Sequence, residues 1–387
     1  MIYAERNKQK IVLALSFLYF FSALGYGLVT GKLCNNQLLS ADALFYKISG
    51  YNLSRGLGYT FDGIMPHGIY QIGYPLFLGG LFTVLFFWIL DLTIRSNLAK
   101  YIALFLYLTH HVIFYLTSVI LSETLGISFF LSFILLSIKY FSSPKTKCVL
   151  LASISCGCLI LVRNKFQLLP LFLLIISSVV VRRKFFKEAL LIFLVSFIMI
   201  SPVLIRNKIT FDQYKLSFHG GEFFFRGMNC SANSNNLFSC NAAAENIAKT
   251  DEKYFALLLQ DIYKHPARML KSYIANFIKL NFSPKVFNPK EDSSFLRRFL
   301  IVKNIAVFLI ILILLFRRKS LSICLKKIDF VFIGLLFLYD NAITSFGISD
   351  DLRLGLFSHI LMYILFALIL DSVYSSKISL EKRHNGS

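Results

Sequence analysis

The sequence predicts an all-α integral membrane protein with about ten transmembrane helices. Two observations carry this. Of 387 residues, 56% are hydrophobic and 16% are charged, with a mean hydropathy of +0.66. A soluble chain of this length needs more polar surface to cover its core. The apolar residues also come in continuous stretches close to the ~20 residues that cross a bilayer. They do not alternate in and out as the strands of a membrane barrel do. The spans read at 11–30, 72–92, 101–119, 124–141, 148–162, 165–181, 188–205, 299–316, 328–346 and 353–374. The first lies in "KQKIVLALSFLYFFSALGYGLV", which is too long for the apolar core of a secretory leader and lacks a small-residue cleavage site.

The formal charge of +21 is compatible with a nucleic-acid binder, but its distribution argues for a membrane orientation signal instead. The N-terminus (Arg6, Lys8, Lys10) and the loops with Arg95 and Lys100 and with Lys139, Lys145 and Lys147 are basic. So are "RRKFFK", "RRKSLSICLKK" and the tail with Lys377, Lys382 and Arg383. With ten spans all of these fall on one side. Both termini are therefore expected in the cytoplasm of a multi-pass inner or plasma membrane protein, with no nucleic-acid partner.

The remaining loops then share the opposite face. They gather Asp42, Glu123, Asp350 and Asp351 with Arg163, Arg206, Arg226 and Arg353 at one membrane surface. Three units follow. Residues 1–205 form an N-terminal transmembrane module whose first outer loop is 31–71. Residues 206–298 form an extracytoplasmic helical cap, and 299–387 form the C-terminal helices and cytoplasmic tail. In the cap, Pro266 suits the first turn of a helix, and Met269, Leu270, Tyr273, Phe277 and Leu280 mark its apolar stripe.

The seven cysteines show no metal-ligand spacing. Cys156 and Cys158 lie in an apolar span as small core residues. Cys230 and Cys240 stand in the outer segment, where an oxidising compartment permits a disulfide. No internal repeat is visible.

In the first outer loop Ser40 is a suitable N-cap. Ala41, Leu44, Phe45 and Ile48 recur at helical spacing, and Gly56 and Gly58 end the run. A one-sided apolar helix just outside a span lies flat in the interface, with Asp42 in its first turn. Read alone, Asp42 complements the helix dipole and faces water.

The wider pattern adds a second reading. "ADALFYKISGYNLSRGLGYTFDG" followed by "GYPLFLGGLF" resembles the first outer loop of the GT-C superfamily of lipid-linked-sugar glycosyltransferases. The nearest likeness is to bacterial protein O-mannosyltransferase-like and aminoarabinose-transferase-like membrane proteins. Further similarities run in order through "LSETLGISFFLSFILL", "GCLILVRNKFQLLPLFLL", "SPVLIRNKITFDQYKLSFHGGEFFFRGMN", "YKHPARMLKSYIANF" and "SDDLRLGLFSHILMYILFALIL". The chain departs from the pattern at Ala43 after Asp42, at Asn164 after Arg163, at Leu354 after Arg353 and at Ile72 before "GYP".

The resemblance implies a GT-C-like fold and an inverting transfer from a polyprenyl-phosphate sugar to a hydroxyl of a cell-envelope glycan, lipid or protein. A lipid phosphate leaves as a stable anion, so one base suffices where a glycosidase needs two carboxylates. Asp42 is that base. Arg163 and Arg353, with Arg206 a third, are the expected donor-phosphate ligands; an arginine at a span end ordinarily snorkels to head groups. Glu123, His67, His219 and Glu222 are further possible site residues. The acids do not group with histidines at ligand spacing, so no obligatory metal or cofactor is expected. The other readings are a transporter or flippase of a lipid-linked saccharide, and a non-catalytic lipid-binding membrane protein.

Overall fold

The computed structural model describes residues 73–110, 122–179, 185–216, 224, 228, 251–282, 294–316, 322, 324, 325, 327–346 and 352–384. The first predicted span, the first outer loop with Asp42 and His67, the segment with His219 and Glu222, and Cys230 with Cys240 lie outside them. Among the described residues the regular structure is entirely helical. It runs α1 Gly73–Thr93, α2 Asn97–Leu108, α3 Ser122–Ser142, α4 Thr146–Val162, a 3-10 turn Asn164–Phe166, α5 Leu169–Val179 and α6 Phe186–Phe211. Then follow α7 Asp251–Lys264, α8 Pro266–Phe282, α9 Ser294–Phe316, α10 Ile328–Phe346 and α11 Leu352–His384.

Each predicted span after the first overlaps a described helix, with differences that have local causes. Five stretches are long and apolar enough to cross a membrane: Leu125–Ser142, Phe186–Ile209, Arg298–Phe316, Ile328–Phe346 and Gly355–Tyr374. These make the chain a multi-pass membrane protein. The span expected at 101–119 instead starts at Asn97, where the Ser96 hydroxyl accepts from the Ala99 N–H, and its described helix ends at Leu108. The span expected at 165–181 is broken after the 3-10 turn, and Pro170 sits in the first turn of α5. Helix α6 carries Pro202 in its interior and ends on Asp212, whose φ of 56° is left-handed and whose carboxylate pairs with Lys208.

Packing divides the bundle. One group is α1, α3, α4, α5 and α6; α11 packs against α10, α9, α2 and α8. Helix α11 is the most enclosed, with 89% of its apolar stretch buried against 11% for α6. Accordingly α6 turns Phe197, Ile198, Ile205 and Ile209 outward. In a bilayer that face meets lipid tails, which are as apolar as the side chains themselves. Helices α4 and α6 run parallel and touch closely at Gly157, where an added Cβ would stand 2.6 Å from Met199 Sδ. The small residue is what allows the approach.

At the basic-loop end, Asp371 of α11 is fully buried and joins three segments. Its Oδ1 accepts from the backbone N–H groups of Arg95 and Ser96 at 3.0 and 2.7 Å, and its Oδ2 accepts from Lys327 Nζ at 3.0 Å. Next to it Cys324 Sγ lies 3.1 Å from Ser372 Oγ, and burial pushes that thiol above its ordinary pKa.

In the segment read as a cap, Pro266 begins α8 as the sequence implies. The stripe is shifted: Leu270 is 60% exposed, while Ser272 and Asn276 are buried with Met269 and Leu280. Asn276 and Asn281 are inside because α8 docks on polar groups of α10, whereas the buried Ser272 hydroxyl has no partner among the described residues. Asn276 donates to the Ser345 carbonyl at 3.0 Å, and Asn281 donates to Asn341 Oδ1 at 2.7 Å.

Two glycines test this packing by thermal unfolding in detergent. Gly157→Val forces α4 from α6 and is expected to cost about 1–3 kcal/mol. Gly334→Ala, where an added Cβ meets nothing within 4 Å, is expected to stabilise α10 by about 0.5–1 kcal/mol.

Candidate functional site

The helix ends opposite Asp371 hold the described part of the predicted site. Arg163 ends α4 in an extended conformation, its N–H bonded to the Leu159 carbonyl. Its side chain crosses Gly126 of α3. A Cβ built there would stand 3.1 Å from Arg163 Cγ and 3.4 Å from Phe357 of α11. The start of α3, the end of α4 and the start of α11 therefore converge on the Arg163 stem. Glu123 stands one turn before Gly126, and Arg353 one turn before Phe357. Arg206 is exposed near the end of α6, which runs parallel to α4. Four of the predicted residues thus belong to helix ends at a single face. Asp42, His67, His219 and Glu222 lie outside the described residues.

Two residues after Arg163 the chain adds a group that the sequence reading missed. Lys165 Nζ lies 2.7 Å from Asp340 Oδ1, with the lysine side chain 15% and the aspartate 1% exposed. Asp340 Oδ2 accepts from the Ser358 hydroxyl at 2.6 Å. The ammonium also lies 4.4 Å from the Phe357 ring centroid and 3.4 Å from Thr344 Oγ1. The Tyr339 hydroxyl donates to the Lys165 carbonyl at 2.8 Å. Out of water, an ammonium and a carboxylate stay charged only when paired and bonded in this way. The signal was present in the sequence: an aspartate in the apolar run "GLLFLYDNAITSF" marks a residue needing a partner inside the protein.

A second polar group runs through the bundle beside the first. His110 Nε2 lies 2.9 Å from His359 Nδ1, and both imidazoles are fully buried. The Tyr363 hydroxyl donates to Asn304 Oδ1 at 2.9 Å, which orients that amide. Asn304 Nδ2 then faces His359 Nε2 at 3.3 Å and the Asn281 carbonyl at 3.2 Å. An amide nitrogen only donates, so His359 Nε2 accepts and its proton sits on Nδ1, directed at His110. Buried Lys303 donates to the Leu106 carbonyl at 3.0 Å, and its Nζ lies 5.1 Å from the Tyr363 ring centroid. The acids and arginines read at one face are not the only ionisable groups of the bundle. Lys303 and the histidine pair lie deep among the helices, each surrounded by carbonyl, amide or hydroxyl groups that only folding brings together.

No group of three or more His, Cys, Asp or Glu side chains with metal-binding proximity occurs among the described residues. Chemically, the site end offers a guanidinium at Arg163, two residues along the chain from the Lys165–Asp340–Ser358 group. Comparison with protein-family models, with curated proteins and with solved structures returned no match.

The pair is tested by substitution and detergent unfolding. Lys165→Met or Asp340→Leu alone leaves one buried charge and is expected to cost about 3–5 kcal/mol, whereas the double variant is expected to recover most of that loss.

Proposed function

We propose that this protein is an inverting glycosyltransferase that moves a sugar from a polyprenyl-phosphate donor to a hydroxyl of a cell-envelope glycan, lipid or protein. The observation that supports it best is the convergence of the Glu123, Arg163 and Arg353 helix ends around Gly126 and Phe357. In this reading that face is extracytoplasmic, and the basic loops and both termini are cytoplasmic. The GT-C-like architecture has ten spans, and 206–298 caps the site.

In the reaction the acceptor oxygen attacks the anomeric carbon while the bond from that carbon to the lipid-phosphate oxygen breaks. The hydroxyl proton passes to the Asp42 carboxylate, and the lipid phosphate leaves as an anion. A single displacement inverts the anomeric centre. Arg163, with Arg353 and Arg206, binds the phosphate as its charge grows, and the protein supplies this without a metal. Glu123, His67, His219 and Glu222 line the approach of donor or acceptor.

A specific observation favours a second reading. The His110–His359–Asn304 chain with Lys303 is a buried polar cluster inside the bundle, and polar groups within spans are what a transporter of a lipid-linked saccharide uses.

Purified protein given a radiolabelled polyprenyl-phosphate sugar and envelope acceptors separates the readings. Inverted transfer supports the enzyme, donor crossing vesicles unchanged supports the flippase, and binding alone supports a lipid-binding protein. Asp42→Asn is expected to lower transfer by about 10²–10⁴-fold at unchanged expression, and near-normal turnover would remove its role. Gly126→Val, which displaces the Arg163 stem, is expected to weaken donor use about tenfold, as loss of one charge-assisted bond does.

A further inference from the structure

At the basic-loop end, away from the candidate site, α3, α4, α5, α6 and α10 leave an open cleft. Its walls include Ala152, Ile192 and Phe332 and are almost wholly apolar. One carboxylate, beside the Tyr140 hydroxyl, lines it. Glu188, in the first turn of α6, accepts the Tyr140 hydroxyl on Oε1 at 2.5 Å. Its Oε2 is buried and has no hydrogen-bond partner. A carboxylate oxygen in that state is costly unless a donor reaches it from within the cleft.

Three features of an occupant follow. The walls require a hydrocarbon chain. The Oε2 atom requires an N–H or O–H donor, and the charge of the carboxylate favours a cationic one. Outside the cleft, Lys139, Lys145, Lys147 and Lys187 are all exposed at the same helix ends, and lysines at head-group level attract phosphate. A soluble amine lacks the chain, and a fatty acid brings a like charge to Glu188. A trimethylated headgroup has no N–H, and a glycerol headgroup has donors but no cation.

We propose that this cleft binds a zwitterionic phospholipid with a primary ammonium headgroup. Part of an acyl chain lies against Ala152, Ile192 and Phe332, the ammonium donates to Glu188 Oε2, and the phosphate lies toward the exposed lysines. The site is separate from the sugar-transfer face, so it stands whether or not the protein is a glycosyltransferase.

Native mass spectrometry of the purified protein, incubated with phosphatidylethanolamine, phosphatidylcholine and phosphatidylglycerol of identical acyl chains, tests it. The ethanolamine lipid is expected to be retained about tenfold over the choline lipid, the size of one charge-assisted hydrogen bond. Glu188→Gln is expected to bring the lipids within about twofold of one another, and Ala152→Phe, which fills the cleft, to abolish selective retention. Equal retention of the three lipids by the unaltered protein overturns the proposal without reference to any variant. So does a preference for the glycerol lipid, or an ethanolamine preference that survives either substitution.

Discussion

From Gly355 to Ser372 helix α11 is almost wholly enclosed by the bundle, yet it carries Ser358, His359, Asp371 and Ser372, all fully or almost fully buried. That constraint organises the molecule. A buried polar group without a partner costs about 1–3 kcal/mol, and a buried charge more. Each position on α11 therefore dictates what its neighbours must supply. Asp340 receives Ser358, Asn304 answers His359, and the Arg95–Ser96 turn with Lys327 closes over Asp371. Between lipid-soluble helices apolar contact discriminates little, because the surrounding tails are equally apolar. Polar pairing sets which helices meet and at what height.

The same logic operates at both ends of the bundle. Asp371 fixes the loop between α1 and α2 through main-chain N–H groups while its other oxygen holds Lys327. At the opposite end Asp340 holds a lysine only two residues from Arg163. An ion pair of that kind contributes little net stability, since desolvation offsets attraction, but it strongly penalises the wrong register. Close by, Arg163 passes against Gly126, where an added Cβ would stand 3.1 Å from its Cγ.

Much of the fold was legible in the chain. The helix boundaries at 328–346 agree with the apolar run to the residue, because Lys327 and the polar stretch after Phe346 bound it. Elsewhere, hydropathy misjudged ends wherever a local device intervened: the Ser96 cap, the 3-10 turn at Asn164–Phe166, the left-handed Asp212. Of the candidate site, Arg163 was legible from its motif. Lys165 and Asp340 were not paired in the reading because 175 positions separate them along the chain. Leu270 was expected inside because periodicity alone cannot weigh Ser272 and Asn276 as core residues. Asn276 is held inside by an acceptor in α10, and Ser272, one turn before it, is buried with its hydroxyl unpartnered among the described residues.

By itself the sequence determined that the chain is a multi-pass membrane protein and roughly where its described helices lie. Those properties follow from local apolar length, readable one segment at a time. Only the tertiary structure decided which helix is central, which acid meets which lysine, and where a proton sits between His110 and His359. These are contacts between distant segments, and their energies arise from removing both partners from water at once. No stretch of residues carries that information alone.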